Sequence, residues 1–375
     1  MGSDDTAISV RTPGRVEILG NHTDYNEGVM LGAAIDRTLR IRGSARDDGH
    51  ISLKSTSYPP VEIALANVRP QKGASRWVNY PLGVASELLA CGLPMCGFSA
   101  EIDSDIPAGA GLGSSAALAV ATAVLLLKLA GRELPPLQIA KICQRAENVF
   151  AGVQSGLLDQ VMSIFGKANH LVFFDCRTEE VRTIAFPSDL VLIVADSGCK
   201  RELASGKYNE RHGETRAAAE ALGVRALRDV PTVAALSERR SDLRRSETAA
   251  TGAVDHLSPL LRRRAAHIIG ENERVWRACE LLERSDAKGL GELMNQSHES
   301  SRLNFENSTP ELDRLVDLAR KQPGVLGARL TGAGFGGAII ALCETATAEQ
   351  AAAKLAPTAA RTFVSRPADG ALMGN

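Results

Sequence analysis

The amino-acid sequence predicts an α+β fold in two domains, with a binding site in the cleft between them. The chain has 375 residues, which is more than a single hydrophobic core usually organises. Strand patterns and helical periodicity occur in both halves of the sequence. We therefore assign residues 1–183 to an N-terminal domain and residues 184–375 to a C-terminal domain. A cleft between two such domains is the usual place for a small ligand.

The N-terminal half is predicted to combine short strands with helices. Strands are expected where the sequence reads ISLKSTSY from residue 51, VEIAL from residue 61 and FSAEID from residue 98. Helices are expected at residues 77–89 and 137–150, and at LLDQVMSIF, which ends at Gly166. The apolar run AALAVATAVLLL at residues 116–127 is shorter than the roughly 20 residues that a membrane span needs, so it indicates a buried helix.

The C-terminal half begins and ends with strands. HLVFFDC from residue 170, near the end of the N-terminal domain, and LVLIVADS from residue 190, at the start of the C-terminal domain, are typical of buried strands. GARLT, AIIALC and RTFVS predict strands near the C-terminus. Residues 204–318 are mostly helical in pattern, with a polar, Arg-rich connection at residues 239–264 that we expect at the solvated surface. The crossover between domains is expected within residues 175–189.

Composition excludes several classes of function. The formal net charge is −1 and no run of five or more like charges occurs, so we expect no nucleic-acid partner. The seven cysteines lack the spacing of a metal site or a disulfide framework. The N-terminal MGSDDT has no signal-peptide pattern, and its loose match to a myristoylation motif lacks basic support. We expect a cytoplasmic protein without membrane attachment, as a monomer or weak dimer.

A polar turn follows the first apolar strand-like run. Residues 14–28 read GRVEILGNHTDYNEG, and after Gly20 they gather Asn21, His22, Asp24 and Tyr25. An amide, an imidazole, a carboxylate and a phenol so close together indicate a site for a polar ligand.

The segment PAGAGLGSSAAL at residues 107–118 predicts a phosphate site. Its glycines let the backbone approach a ligand, and the first turn of the following helix directs free N–H groups at an anion. No Lys follows the glycines as a P-loop requires, and the signatures of a protein kinase are missing from the sequence. The alternative is a glycine-rich turn that only begins a helix.

Three further features have weaker signals. TGAGFGG at residues 331–337 contains G-x-G-x-x-G, but a strand-like segment follows it, which argues against a dinucleotide-binding turn. Asp159 in GLLDQ could serve only as a helix-dipole partner. Glu147, taken alone, resembles an ordinary exposed helix charge.

Together and in order, these motifs resemble those of the galactokinases, a family of the GHMP small-molecule kinases. Segments such as WVNY, FFDCRT, LASGKY, SHESSR and PELDRLV extend the resemblance over nearly the whole chain. The resemblance implies an N-terminal domain like the second domain of ribosomal protein S5, a ferredoxin-like C-terminal domain and an active site in the cleft. It implies ATP-dependent phosphorylation of D-galactose at the anomeric hydroxyl, with ATP and Mg²⁺ as cofactors.

The resemblance also implies roles for individual residues. Arg15 and Asp159 match the catalytic pair, with Asp159 either a general base or a group that positions the hydroxyl. The sugar contacts match Asn21, His22, Asp24, Gly156 and Tyr208. The ATP contacts match Trp77 near the adenine, and Gly109, Gly111, Leu112, Gly113, Ser114, Ser115 and Gly334. The magnesium ligands match Ser115 and Glu147.

Two departures from the family pattern affect the substrate. Ala110 and Gly113 replace commoner residues of the phosphate loop but keep it small, and Asn21 stands where the family usually has Glu. A missing carboxylate would remove repulsion against galacturonate, although residues 20–28 supply no Arg or Lys to bind its acid. We expect D-galactose as the best substrate, with looser selection at C6. The alternatives are a 1-kinase for galacturonate, galactosamine or L-arabinose, and a regulator that binds sugar and ATP without turnover.

Overall fold

Two β-sheets, one in each half of the chain, form the framework of this computed structural model, which describes residues 7–199, 204–230, 254 and 256–371. The first sheet has seven strands in the order β4-β3-β5-β2-β6-β7, with β1 paired to β2. Its strands are β1 (Ile8–Leu19), β2 (Val29–Arg46), β3 (His50–Ser55), β4 (Val61–Ala64), β5 (Gly97–Ser104), β6 (His170–Asp175) and β7 (Val181–Ala185). The second sheet has the order β11-β8-β10-β9, with β8 (Leu190–Asp196), β9 (Val325–Leu330), β10 (Ala338–Glu344) and β11 (Arg361–Ser365).

Helices pack on both sheets. The described helices are α1 (Asn79–Ala90), α2 (Ser114–Leu129), α3 (Pro136–Ala146), α4 (Leu158–Phe165), α5 (Ala204–Ala221), α6 (Pro259–Glu283), α7 (Ala287–Ser300), α8 (Pro310–Arg320) and α9 (Ala348–Leu355). Residues 116–127 of α2 are all buried, which confirms the predicted core helix. No helix in the described part of the chain has the length and apolar character that crossing a bilayer requires.

β2 is the central strand that the sequence analysis did not predict. It pairs antiparallel with β1, β5 and β6. Its first half is buried on both faces while its second half alternates, so no single period marks it. Gly32 lies in the buried half, where an added Cβ would stand 2.7 Å from the Val16 carbonyl oxygen. The glycine therefore allows β1 and β2 to approach closely.

The two halves are joined by more than one crossing of the chain. The proposed boundary between residues 183 and 184 falls within β7, and the chain passes to the second sheet between Ala185 and Leu190. After β11 the chain returns to the first domain, where the Gly370 N–H donates to the Gly166 carbonyl at 2.8 Å. Trp276 of α6 also packs against Phe173 of β6.

The Arg-rich connection differs from its predicted surface position at one described residue. Residues 239–253 lie outside the described part of the chain, as does MGSDDT at the N-terminus. Arg264, by contrast, lies in α6 and is 1% exposed. Its guanidinium contacts Glu214 at 2.7 Å and Glu306 at 2.6 Å. The prediction of a solvated side chain was wrong there because carboxylates distant in sequence compensate the buried charge.

Candidate active site

Arg15 of β1 and Asp159 in the first turn of α4 form a bidentate ion pair. Arg15 Nε lies 2.7 Å from Asp159 Oδ1, and Nη2 lies 2.5 Å from Oδ2. The remaining Nη1 donates to the carbonyl of Gly111 in the glycine-rich loop. The arginine side chain is 5% exposed and the aspartate side chain 27%. The pair therefore presents a fixed carboxylate to the cleft, beside the loop. A role for Asp159 only as a helix-dipole partner does not account for its contacts with Arg15.

The glycine-rich loop places the N-terminus of α2 at this pair. Gly109, Gly111 and Gly113 have φ angles of 76°, 75° and 76°, a region that residues with a Cβ rarely adopt. α2 begins at Ser114 with no side-chain cap, so its first N–H groups stay available to an anion. The Arg15 N–H also donates to the Leu112 carbonyl at 2.9 Å, which fixes the loop to β1.

Glu147 and Ser115 face each other next to Asp159. Glu147 begins a π-helical turn after α3 and is 7% exposed, so it is not the solvent-facing charge that its sequence context suggested. Its Oε2 accepts from Gln160 Nε2 at 3.0 Å and from Ser155 Oγ at 3.3 Å. Its Oε1 lies 3.5 Å from Ser115 Oγ. Burial, and then the charge of Asp159, raise the pKa of Glu147 to about 7.

These oxygens fit a hard cation. A buried carboxylate beside a hydroxyl has the donor chemistry that Mg²⁺ prefers, and a cation would offset the cost of burying the charge. The described residues contain no cluster of three or more His, Cys, Asp or Glu placed to hold a metal. A magnesium ion here would therefore complete its shell with phosphate oxygens and water.

The polar turn after β1 contains residues with positive φ angles, a backbone conformation that few residues adopt. Gly20 has φ of 96° and His22 has φ of 59°. The His22 ring donates from Nε2 to the Ala333 carbonyl at 2.9 Å, and its Nδ1 shares a hydrogen bond of 2.8 Å with the Tyr25 hydroxyl. The ring is thus held between both domains, and the Tyr208 ring lies beside it at a tilt of 38°, with centroids 5.2 Å apart.

A buried glutamate from the C-terminal domain fixes the backbone of this turn. Glu271 of α6 is fully buried, and its Oε2 accepts from the N–H groups of Gly20 and Asn21 at 2.9 and 2.8 Å. Burial alone would raise the pKa of Glu271, but the cations Arg274 and Arg329 outweigh it and lower that pKa. A charged carboxylate accepting two N–H bonds is a strong anchor for the turn.

The Asn21 side chain is engaged by the protein itself. Its Nδ2 donates to Glu17 Oε1 at 2.9 Å and to the Gly332 carbonyl at 2.8 Å. Its Oδ1 accepts from Asn307 Nδ2 at 2.9 Å. Both N–H bonds of the amide are therefore used, and the residue is 0% exposed although it borders the cavity described below.

Asp24 and Gly156 are in direct contact. A Cβ added to Gly156 would lie 2.1 Å from Asp24 Oδ2, so only glycine fits at that position. Burial, then the charge of Glu17, and more weakly that of Asp159, raise the pKa of Asp24 to about 7. The carboxylate is therefore poised to change its charge near neutral pH.

Two adjoining cavities of about 490 Å³ each occupy the cleft. The first, which we call the turn cavity, is bordered by Arg15, Asp159, the polar turn, Gly156 and Tyr208. The second, the loop cavity, is bordered by Gly109, Ser114, Ser115 and Trp77. Arg76, Tyr80 and Ser115 border both. Two ligands, one in each cavity, would meet next to the glycine-rich loop, beside Asp159.

Trp77 and Gly334 lie in different surroundings. Trp77 stacks on Tyr58 with ring centroids 5.7 Å apart, and both residues border the loop cavity. Gly334 lies in the turn between β9 and β10, which confirms that TGAGFGG joins two strands. An added Cβ there would stand 2.3 Å from the Asn307 carbonyl oxygen. Gly334 therefore packs against Asn307 and is not among the residues that border the two cavities, and its role as an ATP contact stays a prediction.

The sequence analysis missed residues that surround the polar turn. Glu17, Glu271, Asn307 and Arg329 each hydrogen bond to the turn or to a residue that does. The available signal for Glu17 was a charge inside the otherwise apolar run VEIL. The other three carry no local pattern that points to the cleft.

The fold and these two cavities define a small-molecule kinase of the GHMP class. The family models of the GHMP kinase N-terminal domain and of the GHMP kinase C-terminal domain match residues 79–167 and 278–360. Solved structures of mevalonate kinases share the fold at TM-scores of 0.68 and 0.69, with 21% identity.

More specific matches point to one family within that class. The galactokinase galactose-binding signature matches residues 1–44. Galactokinases of Roseiflexus sp. and Homo sapiens are each 37% identical, over 91% and 97% of this chain and 85% and 91% of theirs. The structure of Lactococcus lactis galactokinase complexed with galactose superposes with a TM-score of 0.89 and 30% identity, covering 99% of this chain and 96% of that one. The chain belongs to the galactokinase family.

Proposed function

We propose that the protein transfers the γ-phosphoryl group of ATP to the anomeric hydroxyl of D-galactose, giving galactose 1-phosphate and ADP. The observation that carries this proposal is the Arg15–Asp159 pair, which lies where the turn cavity meets the glycine-rich loop. The galactose-binding signature covers the polar turn on the other side of the same cavity. The alternatives within the same reaction class, 1-kinases for galacturonate, galactosamine or L-arabinose, are not favoured, because the relatives and the sugar-binding signature that match this chain are those of galactokinases.

The sugar would occupy the turn cavity. Asp24 accepts hydrogen bonds from its hydroxyls, Gly156 leaves room for that carboxylate, and Tyr208 closes the wall beside His22. ATP would occupy the loop cavity, with its phosphates at the N-terminus of α2 and its adenine towards Trp77. This arrangement brings the anomeric oxygen and the γ-phosphorus together without a covalent enzyme intermediate.

Asp159 accepts the proton of the anomeric hydroxyl as its oxygen attacks the γ-phosphorus and the bond to the β-phosphate oxygen breaks. The bidentate contact with Arg15 holds both carboxylate oxygens, so the base has one orientation. General-base assistance of this kind is worth roughly 10²–10⁴-fold in rate. Ser115 and Glu147 would hold Mg²⁺, which neutralises charge on the phosphate oxygens.

The proposal includes the compartment and the oligomeric state of the protein. All seven cysteines are free, which supports a reducing compartment and hence the cytoplasm. We propose a monomer or weak dimer, which light scattering over a range of protein concentrations tests directly.

A sugar panel tests the proposed reaction. Purified protein with ATP and Mg²⁺ is offered D-galactose, D-galacturonate, D-galactosamine and L-arabinose, and ADP release is followed by a coupled assay. Phosphorus NMR with coupling to the anomeric proton identifies a 1-phosphate product. We expect the highest kcat/KM for D-galactose. A preference of about tenfold or more for another sugar, which is about 1.4 kcal/mol, would leave only the sugar-1-kinase class. Sugar binding without ADP release would favour the non-catalytic regulator.

A further inference from the structure

Glu17 is a buried carboxylate in the wall of the turn cavity that the reaction described above does not use. It lies in β1 between the buried residues Val16 and Ile18, and its side chain is 4% exposed. It nevertheless borders the turn cavity together with Arg15, Asn21 and Asp24. A carboxylate is rarely buried without a compensating partner and a reason for its position.

Two donors fix the Glu17 carboxylate through the same oxygen. Its Oε1 accepts from Asn21 Nδ2 and from Arg329 Nη2, both at 2.9 Å. Arg329 is itself 0% exposed and donates also to the Ile18 carbonyl at 2.9 Å, so it cannot swing away. Both donors that the described residues direct at this carboxylate reach Oε1. Oε2 therefore keeps its capacity to accept a hydrogen bond in the cavity.

The Asn21 side chain, unlike that of Glu17, already uses its hydrogen-bonding groups within the protein. Both of its N–H bonds are used within the protein, by Glu17 and by the Gly332 carbonyl. Its oxygen accepts from Asn307. A sugar hydroxyl that needs an acceptor would find the Glu17 carboxylate before the Asn21 amide.

The charge of the cavity follows from the same placement. Four carboxylates border the turn cavity, those of Glu17, Asp24, Glu147 and Asp159, and Glu17 acts electrostatically on Asp24, whose pKa it raises. A wall rich in carboxylates suits a ligand with neutral hydroxyl donors. A sugar acid would bring a further carboxylate into the same space.

We propose that Glu17 is a specificity-determining residue, whose carboxylate accepts a hydrogen bond from a non-anomeric hydroxyl of the sugar and excludes sugar acids. Asn21 is the positioning residue that holds Glu17. This inference rests on the proposed sugar-kinase function. It changes the expectation of looser selection against galacturonate: the carboxylate missing at position 21 is supplied from position 17.

The test compares wild type with Glu17→Gln, which keeps shape and removes the charge. Glu214→Gln is the matched control, since Glu214 pairs with Arg264 away from the turn cavity. Steady-state kinetics are measured for D-galactose, D-galacturonate and the 2-, 3-, 4- and 6-deoxygalactoses, with circular dichroism and melting temperature as folding controls. Galactose KM should rise about tenfold or more in Glu17→Gln with kcat within about threefold, because ground-state binding is lost.

Two patterns would identify the contact. One deoxygalactose should show nearly the same kcat/KM on wild type and Glu17→Gln, since it lacks the hydroxyl that Glu17 contacts. The galacturonate-to-galactose ratio of kcat/KM should rise about tenfold or more in the variant. Asn21→Ala should cost much less in the Glu17→Gln background than in wild type, because it acts through that carboxylate.

Several outcomes would overturn the inference. One is a folded Glu17→Gln with galactose KM and acid selectivity within about threefold of wild type. Another needs no variant: wild type using galacturonate within about tenfold of galactose shows that the carboxylate does not exclude acids. If the losses in kcat/KM from Asn21→Ala and Glu17→Gln are additive in the double variant, Asn21 does not act by positioning Glu17. If wild type phosphorylates none of the sugars, the proposed function itself fails and the inference fails with it.

Discussion

Replacing Gly156 by Ala would displace the carboxylate of Asp24, because the two residues are already in contact. The new Cβ would stand 2.1 Å from Asp24 Oδ2 and 2.4 Å from its Cγ. To reach an ordinary contact near 3.4 Å, the carboxylate must retreat by roughly 1.3 Å. A displacement of about 1 Å at a binding group can cost about 10²-fold in kcat/KM, which is about 2.7 kcal/mol.

The assay is steady-state turnover of galactose, with calorimetry for galactose binding. We expect a higher KM and a weaker galactose affinity, while the melting temperature changes little, because Gly→Ala also restricts the unfolded chain. Gly213→Ala is the control, since an added Cβ there meets nothing within 4 Å. In an Asp24→Gly background the Gly156→Ala change should cost little, since the carboxylate it displaces is gone. A kcat/KM within about threefold of wild type would refute the reasoning.

Three further predictions follow from the site. Asp159→Ala should slow single-turnover phosphoryl transfer by roughly 10²–10⁴-fold while galactose binding measured by calorimetry changes far less; transfer within about threefold of wild type would remove Asp159 from the chemistry. Ser115→Ala and Glu147→Gln should each raise the Mg²⁺ concentration for half-maximal rate about tenfold, and an unchanged magnesium dependence in both would place the metal elsewhere. Galactose affinity should fall about tenfold per pH unit below 7, where Asp24 becomes protonated and loses acceptors, and a flat profile in wild type or a steep one in Asp24→Asn would contradict that assignment.

The raised pKa of Asp24 also makes the stability of the sugar-free protein depend on pH. This dependence has the opposite sign to that of galactose affinity. The pKa of Asp24 is raised from 3.8 to about 7, so the folded state binds more protons than the unfolded state between these values. Its contribution to the free energy of unfolding is complete at low pH and is lost as pH rises through about 7. Sugar binding and apo stability should therefore respond to pH in opposite directions over this range.

The motifs could be predicted from sequence because each is local. The glycine-rich loop, α2 and α4 are specified by neighbouring residues, and the structure has α2 at Ser114 and α4 ending before Gly166, as their patterns indicated. β2 was missed because half of it is continuously apolar and half alternates. A single periodicity test cannot recognise such a strand.

The surroundings of the polar turn could not be predicted because their partners are distant. Glu271 contacts the Gly20 N–H from 251 positions away, and Arg329 contacts Glu17 from 312 positions away. Asn21 was visible as a departure from the family pattern, but its amide could have faced either a ligand or the protein. Only the fold brings Glu17 and Gly332 to it.

The polar turn depends on residues that are synthesised long after it. Its backbone is held by Glu271, and its side chains by Gly332 and Ala333. A nascent chain therefore has no finished turn cavity until the second sheet has formed and docked. A sugar that binds only the completed state would, at a hundred times its dissociation constant, favour that state by about 2.7 kcal/mol. Variants that loosen the contact between the halves should accordingly mature better in cells supplied with the sugar, even when the substituted residue never touches it.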